Sequence, residues 1–270
     1  MSPSMAERVQ YAVMSVQHQS IAGESELVWD RGRLREPHIQ QDKAVRVRRM
    51  FDAIAPTYER VNTISSVGRD AYWRRASVSA VPLSADARVL DVACGTGDLA
   101  RAFVKRSRGA KVFGLDFSLN MLRHAGGPTD GVVHYCCADA LRLPFGDGGF
   151  DVVSCAFGIR NFQDLGVGFV EFHRVLKPGG KAILLEFSLP GSGVLRRLYL
   201  LYFRRVMPIA ARLMSRDRVG AYRYLPESVI SFPSEEGVVA GLSASGFSGV
   251  EVRQMTFGIV SLYIATKPVS

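Results

Sequence analysis

Several apolar runs in this sequence end directly in residues that can bind or react. "RVLDVA" leads into "CGTGD", which sets Asp91 ahead of Gly95, Thr96 and Gly97. "KVFGLD" ends on Asp116, with Phe117 behind it, and "VVHYCCAD" delivers Asp139 and Ala140. "FDVVSCAF" passes straight to Gly158, Ile159, Arg160 and Asn161 with no turn cluster between, and "KAILLEFS" carries Glu186. Gly95 to Ala100 reads G-x-G-x-x-A, with an acid, Asp116, about twenty residues further on. Such a bend brings backbone close to a ligand at a helix N-terminus, and the acid accepts from ribose hydroxyls. Two cofactors fit it, a nicotinamide dinucleotide and S-adenosylmethionine. Asp91 favours the second, because an acid there repels a pyrophosphate and suits an ammonium group. Asp139, in "DALRLPF", adds an acid for an adenine amino group, with apolar neighbours for the ring.

These residues need a scaffold that brings strand ends together. Apolar runs alternate with segments of helical spacing: "LARAFVKR", "SLNMLRHA" with Ser118 placed as its cap, and "DLGVGFVEFHRVL" stopped by "KPGG". Strands alternating with helices imply an α/β fold, a mostly parallel sheet with helices on both faces. Near the end, "GVEVRQMTFGIVSLYIATK" reads as two strands joined at Phe257 and Gly258, a hairpin that makes one edge strand antiparallel. Ligands of such sheets gather beyond the carboxyl ends of the strands, where all of these polar residues fall.

The totals set bounds. The chain has 270 residues, 47% of them hydrophobic and 22% charged, and no run long enough to span a bilayer. A formal charge of +9, mostly arginine, suits acidic ligands or anionic surfaces where it is clustered. Cys94, Cys136, Cys137 and Cys155 show no CxxC pair and no metal spacing, so they read as small hydrophobes of a reducing cytoplasm, and no metal is expected. Residues 1–42 have no sustained apolar period and read as a loosely ordered extension. Their acids, Glu7, Glu24, Glu26 and Asp30, argue against a mitochondrial presequence. His124 and His173 lie in helical patterns and read as ordinary helix residues.

From about Arg49 to Lys267 the chain resembles the ubiquinone/menaquinone-biosynthesis C-methyltransferases. "FDAIAPTYERVNTISSVGRDAYWRR", "FGIRN", "LEFS", "YRYLPES" and "TFGIV" carry the likeness most specifically, more so than the glycine motif. Glu59 replaces the family's usual Asp, and Ala156 stands where some members have serine. The resemblance implies a class I, Rossmann-like methyltransferase fold over 43–270, with a helical cover at 43–82 and a helical lid at 191–232. It implies S-adenosylmethionine held by Asp91, Gly95, Thr96, Gly97, Asp116, Phe117, Asp139 and Ala140.

The implied substrate is a polyprenylated quinol methylated at a ring carbon, demethylmenaquinol before the benzoquinol of the ubiquinone route. Arg160 would steady the phenolate as it forms, Asn161 would orient the ring, and Tyr58, Glu186 and Asp164 are candidates to position or accept the proton. The segment from Gly193 to Arg218 holds seven arginines and only Asp217 among acids, with Leu195, Leu198, Tyr199, Tyr202 and Val206 at helical spacing. It reads as a basic amphipathic helix broken at Pro208, either a plain core-packing helix or a lid resting on anionic lipid. No nucleic acid is expected, a homo-oligomer stays open, and the location is cytoplasmic with peripheral contact on the inner membrane face. An NAD-dependent oxidoreductase and a non-catalytic scaffold of a quinone-synthesis complex are the rival readings.

Overall fold

The computed structural model describes residues 29–30, 32–126, 132–206 and 220–269. Seven strands form one sheet in the order β3-β2-β1-β4-β5-β7-β6. They are β1 (Arg88–Val92), β2 (Lys111–Asp116), β3 (Val133–Cys137), β4 (Phe150–Ala156), β5 (Leu176–Phe187), β6 (Ser248–Met255) and β7 (Val260–Thr266). The first five run parallel, β7 pairs antiparallel with β5, and β6 pairs antiparallel with β7. The reversed strand is therefore β7, one place in from the edge, which corrects the expected antiparallel edge. The apolar run of β7 is buried on both sides, whereas β6 alternates with charges and lies at the rim.

Alternation along the strands builds two cores. Val89, Val112, Val152, Ile183 and Leu262 face α3 (Arg69–Ser79) and α4 (Asp98–Arg106), where Trp73, Leu99 and Phe103 fill the layer. Leu90, Leu115, Val153, Leu184 and Tyr263 face the opposite way, onto Phe169 and Phe172 of α6 (Leu165–Val175) and Val238 and Leu242 of α9 (Glu235–Ala244). Between these lies α5 (Leu119–Arg123), capped as expected by the Ser118 hydroxyl, which accepts from the Met121 N–H at 3.1 Å. The "KPGG" run after α6 is extended chain at the start of β5, and the Gly179 N–H donates to the Lys267 carbonyl.

A third apolar cluster roofs the carboxyl ends of the strands. It joins α1 (Lys43–Ile54), α2 (Tyr58–Ser65), α7 (Gly193–Leu201) and α8 (Ala221–Ile230) through Val47, Met50, Val61, Tyr199 and Tyr224. Trp29 and Leu34 belong to it as well: Trp29 is fully buried and lies 4.4 Å from the Tyr224 ring. The stretch expected to be loose up to residue 42 is thus anchored within the described residues by Trp29 and Leu34, both buried in this cluster. Residues 1–28 and the expected helix break at Pro208 lie outside the described residues. Trp29→Ala should cost roughly 3–5 kcal/mol of stability, read as a lower urea midpoint with an unchanged slope.

Candidate active site

Two cavities open above the strand ends. The smaller lies where β1, β2 and β4 finish, and Ala93, Gly95, Asp116, Phe117, Ala138, Asp139, Ala140 and Gly158 line it. Two tight approaches shape this cleft. At Gly97, φ is +87°, and a Cβ would run into the Tyr135 hydroxyl, so the turn accepts only glycine. At Gly158, a Cβ would stand 2.7 Å from Ala93 Cβ and 2.6 Å from Cys155 Sγ. On either side of that contact, Ala93 and Phe157 hold left-handed backbone, with φ of 53° and 58°. Side chains rarely adopt this conformation, and its cost is borne where strand ends must bend around a ligand.

Asp116 is the polar centre of the cleft. Its Oδ2 accepts from the Gly95 N–H and its Oδ1 from the Ser118 N–H, both at 2.8 Å. Burial pushes its pKa up to about 6 despite those bonds. Asp139 is exposed, with Oδ1 accepting from the Leu141 N–H at 2.9 Å. Asp91, near the end of β1, and Thr96 and Gly97, in the turn that follows, lie off the cavity wall. The Asp91 carboxyl is buried, accepts from the Ser154 hydroxyl at 2.8 Å through Oδ1, and is pushed up to about 7. The residues brought to the wall fit a nucleoside: a glycine bend, a buried acid with lone pairs to spare, a second acid and an apolar floor. The cleft measures about 60 Å³ and is roofed by Ala44, Phe51 and Tyr58. Asp52 fastens α1 there by accepting from the Ser118 hydroxyl at 2.6 Å.

The larger cavity, of about 460 Å³, lies beneath α7 and α8. Its wall is mainly aromatic and aliphatic, and Arg160, Arg74, Asp70, Tyr58, Tyr199 and Tyr224 supply polar groups. Phe51, Tyr58 and Phe157 line both cavities and so form the partition between them. The two histidines lie elsewhere. His124 bonds the Asn120 carbonyl of its own helix, and His173 packs against Phe247.

Arg160 is 6% exposed, and its Nη1 donates to Glu186 Oε1 and to the Phe157 carbonyl, both at 2.6 Å. Burial alone would lower its pKa, but the Glu186 carboxylate outweighs that and holds it above its ordinary value. Asn161 lines the smaller cavity and is held by two hydrogen bonds. Its Nδ2 donates to the Phe157 carbonyl and its Oδ1 accepts from the Tyr224 hydroxyl at 3.1 Å. Asp164 caps α6 by accepting from the Val167 N–H at 3.0 Å, and Glu186 is absent from the wall of either cavity. Burial raises the Tyr58 phenol, so it remains a donor at neutral pH.

Phe51 and Phe157, which line both cavities, were not among the individual site residues expected from the sequence. The seven-residue spacing of Phe51 and Tyr58 was an available signal. The buried Lys43 went unremarked too. Desolvation holds it at about 8, and its Nζ donates to the Phe162 carbonyl, pinning α1 to the loop after β4.

Residues 39–267 match the ubiE/COQ5 methyltransferase family. The chain belongs to that family. Demethylmenaquinone methyltransferase of Thermus thermophilus is 44% identical over 222 residues, 81% of this chain and all of that protein. Its counterpart in Deinococcus radiodurans is 42% identical, over 84% of this chain and 95% of its own length. A relative from Geobacter sulfurreducens, named ubiquinone/menaquinone biosynthesis C-methyltransferase, is 43% identical over 84% of this chain and 90% of its own. Among solved structures, an S-adenosylmethionine-dependent methyltransferase from Thermotoga maritima aligns with a TM-score of 0.57 at 18% identity, over 81% of this chain and 98% of that one. The [4+2]-cyclase SpnF aligns at 0.60 and 17%, over 83% and 96%. These last two show the class I fold, and the cyclase shows that this fold alone does not decide the reaction.

The site yields two expectations. Ribose hydroxyls need an ionised acceptor at Asp116, so cofactor affinity should fall below about pH 6, by up to tenfold per pH unit, in calorimetric titrations with S-adenosylhomocysteine. Because the folded pKa lies above the ordinary aspartate value of 3.8, this group destabilises the ligand-free chain above about pH 6 and loses that penalty as pH falls toward 4. Glu186→Gln should leave a buried arginine uncompensated and cost on the order of 3 kcal/mol in urea unfolding, while homocysteine-cofactor binding persists.

Proposed function

We propose that the enzyme transfers the methyl group of S-adenosylmethionine to a ring carbon of a polyprenylated quinol, demethylmenaquinol in the first instance. The observation that carries this is the pair of cavities separated only by Phe51, Tyr58 and Phe157. One is a polar cleft of nucleoside chemistry, and the other is an apolar chamber with an arginine on its wall. The names of the relatives from Thermus and Deinococcus support the naphthoquinol, and the Geobacter name covers both routes.

S-adenosylmethionine supplies an already activated methyl group on a sulfonium. The protein's task is therefore alignment and activation of the acceptor. Asp116 would accept from the ribose, Asp139 would meet the adenine amino group, and the glycine bend would admit the amino-acid end. The three rings of the partition would flank the sulfonium and exclude water. Arg160 donates to the quinol oxygen beside the carbon to be methylated, and its attraction grows as that oxygen becomes a phenolate. Tyr58 donates from the partition. Asp70, the acid on the chamber wall, is ionised: burial would raise its pKa, but Arg74 outweighs this and lowers it.

Labelled S-adenosylmethionine offered with demethylmenaquinol and with the demethylated benzoquinol, side by side, tests the reading. Turnover of the naphthoquinol is expected, with a loss of at least a hundredfold in kcat/KM for Arg160→Ala and little change in cofactor affinity. Turnover of the benzoquinol instead would move the enzyme to the other route, and turnover of neither would overturn the substrate class.

A further inference from the structure

Buried polar atoms are almost always hydrogen-bonded, so one that is not marks a place where a ligand can supply the missing bond. Among the described residues, two such atoms belong to side chains on the wall of the larger cavity, Arg160 Nε and the Tyr199 hydroxyl. Neighbouring phenols differ: Tyr224 donates to Asn161 Oδ1 at 3.1 Å, and Tyr58 bonds the Asn62 side chain. Tyr199 sits near the end of α7 in the apolar cluster that roofs the strands, so its hydroxyl is withheld from solvent as well.

A run of ring contacts joins these two side chains along one wall. The Arg160 guanidinium lies 5.4 Å from the Phe187 ring centre, Phe187 meets Phe203 at 6.1 Å, and Phe203 meets Tyr199 at 4.4 Å. All four residues line the cavity. The guanidinium comes from the exit of β4 and the phenol from α7, so tertiary packing sets them on the same wall with two aromatic rings between them.

That arrangement fits a flat apolar ligand with an oxygen on each side. Arg160 Nε–H can only donate, whereas a tyrosine hydroxyl donates or accepts, and burial raises the Tyr199 phenol so that it keeps its proton. One ligand oxygen would meet the guanidinium and the other the phenol, with the ring between them against Phe187 and Phe203. A ring carrying a single hydroxyl satisfies one of the two atoms and leaves the other unpaired in an apolar chamber. Such an unpaired group is what lets a site reject a ligand that lacks one hydroxyl.

We infer that Tyr199 is a substrate-binding residue that selects a ring with two oxygens, bonding the hydroxyl across the ring from the one that Arg160 meets. This rests on the proposed quinol reaction and deepens it, by naming the side chain that separates a quinol from a simple phenol.

Tyr199→Phe tests it, because the variant keeps the ring that packs on Phe203 and removes only an unpartnered hydroxyl. Its melting temperature should match or exceed the parent's. Two ligands are compared without oxygen: demethylmenaquinol with a short prenyl chain, and the monophenol analogue that keeps only the hydroxyl beside the acceptor carbon. With S-adenosylhomocysteine present, the parent should bind the diol about tenfold more tightly than the monophenol. Tyr199→Phe should lose about that factor on the diol and nothing on the monophenol, so that the preference disappears. Turnover of each ligand by variant relative to parent should show the same split, a ratio that cancels the different reactivity of the two rings. Equal losses on both ligands would make the hydroxyl structural and overturn the inference, as would a preference that survives in Tyr199→Phe or is missing from the parent. A diol preference in binding that Tyr199→Phe erases, with no methyl transfer to either ligand, would keep the role of Tyr199 and overturn the proposed reaction. No binding of the diol by the parent would overturn both.

Discussion

A buried ion pair is the constraint on which the site depends. Arg160 and Glu186 stand at the ends of neighbouring strands, β4 and β5, and both are almost wholly removed from water. Neither charge is tolerable there alone, and each is stable only where the other meets it. The pair therefore fixes the chain where β4 ends: Glu186 Oε2 also accepts from the Arg160 N–H at 3.2 Å. The Phe157 carbonyl receives Arg160 on one side and Asn161 on the other, and Asn161 receives Tyr224, which stacks on Trp29. A charge set in the sheet thus positions α8 and the N-terminal segment packed over it. The abrupt passage from "VVSCAF" to arginine and asparagine is the start of that network.

The same bend serves the cofactor side. Phe157 must take left-handed backbone for its carbonyl to meet Arg160 and Asn161, and its ring then enters the partition between the cavities. Ala93 adopts the matching conformation across from it at the end of β1, with Gly158 pressed between. Both cavities are therefore shaped by one local geometry.

The sheet was legible because its signals are local. Apolar runs, a glycine bend and a capping serine each declare themselves within a few residues, and the acids at strand ends follow from the topology rule. Asp116 and Arg160 were placed that way. The hydrogen bonds that hold the Asn161 amide were not, because they join it to Phe157 and to Tyr224, 63 residues away. Trp29 was missed since a single ring in a polar stretch creates no period. The order of β6 and β7 was recoverable: a strand alternating with Glu251 and Arg253 belongs at a rim, and "VSLYIAT" belongs inside. Asp116 and Asp139 line the smaller cavity whereas Asp91 is buried behind it, a difference that sequence order alone does not show.

The pairing also changes what Arg160 can do. A lone buried guanidinium would bind any small anion in the ground state, and the chamber would fill with the wrong ligand. Joined to Glu186, it presents a nearly neutral pair whose remaining donors still attract an oxygen. Such a group gains little from a neutral quinol and more from the same oxygen once charge develops on it. Stabilisation that appears only as the phenolate forms lowers the barrier without tightening the substrate, which is the condition for faster turnover. Under the proposed reaction, Glu186 reserves the arginine's charge for the step that needs it, within an apolar chamber that keeps water from screening it first.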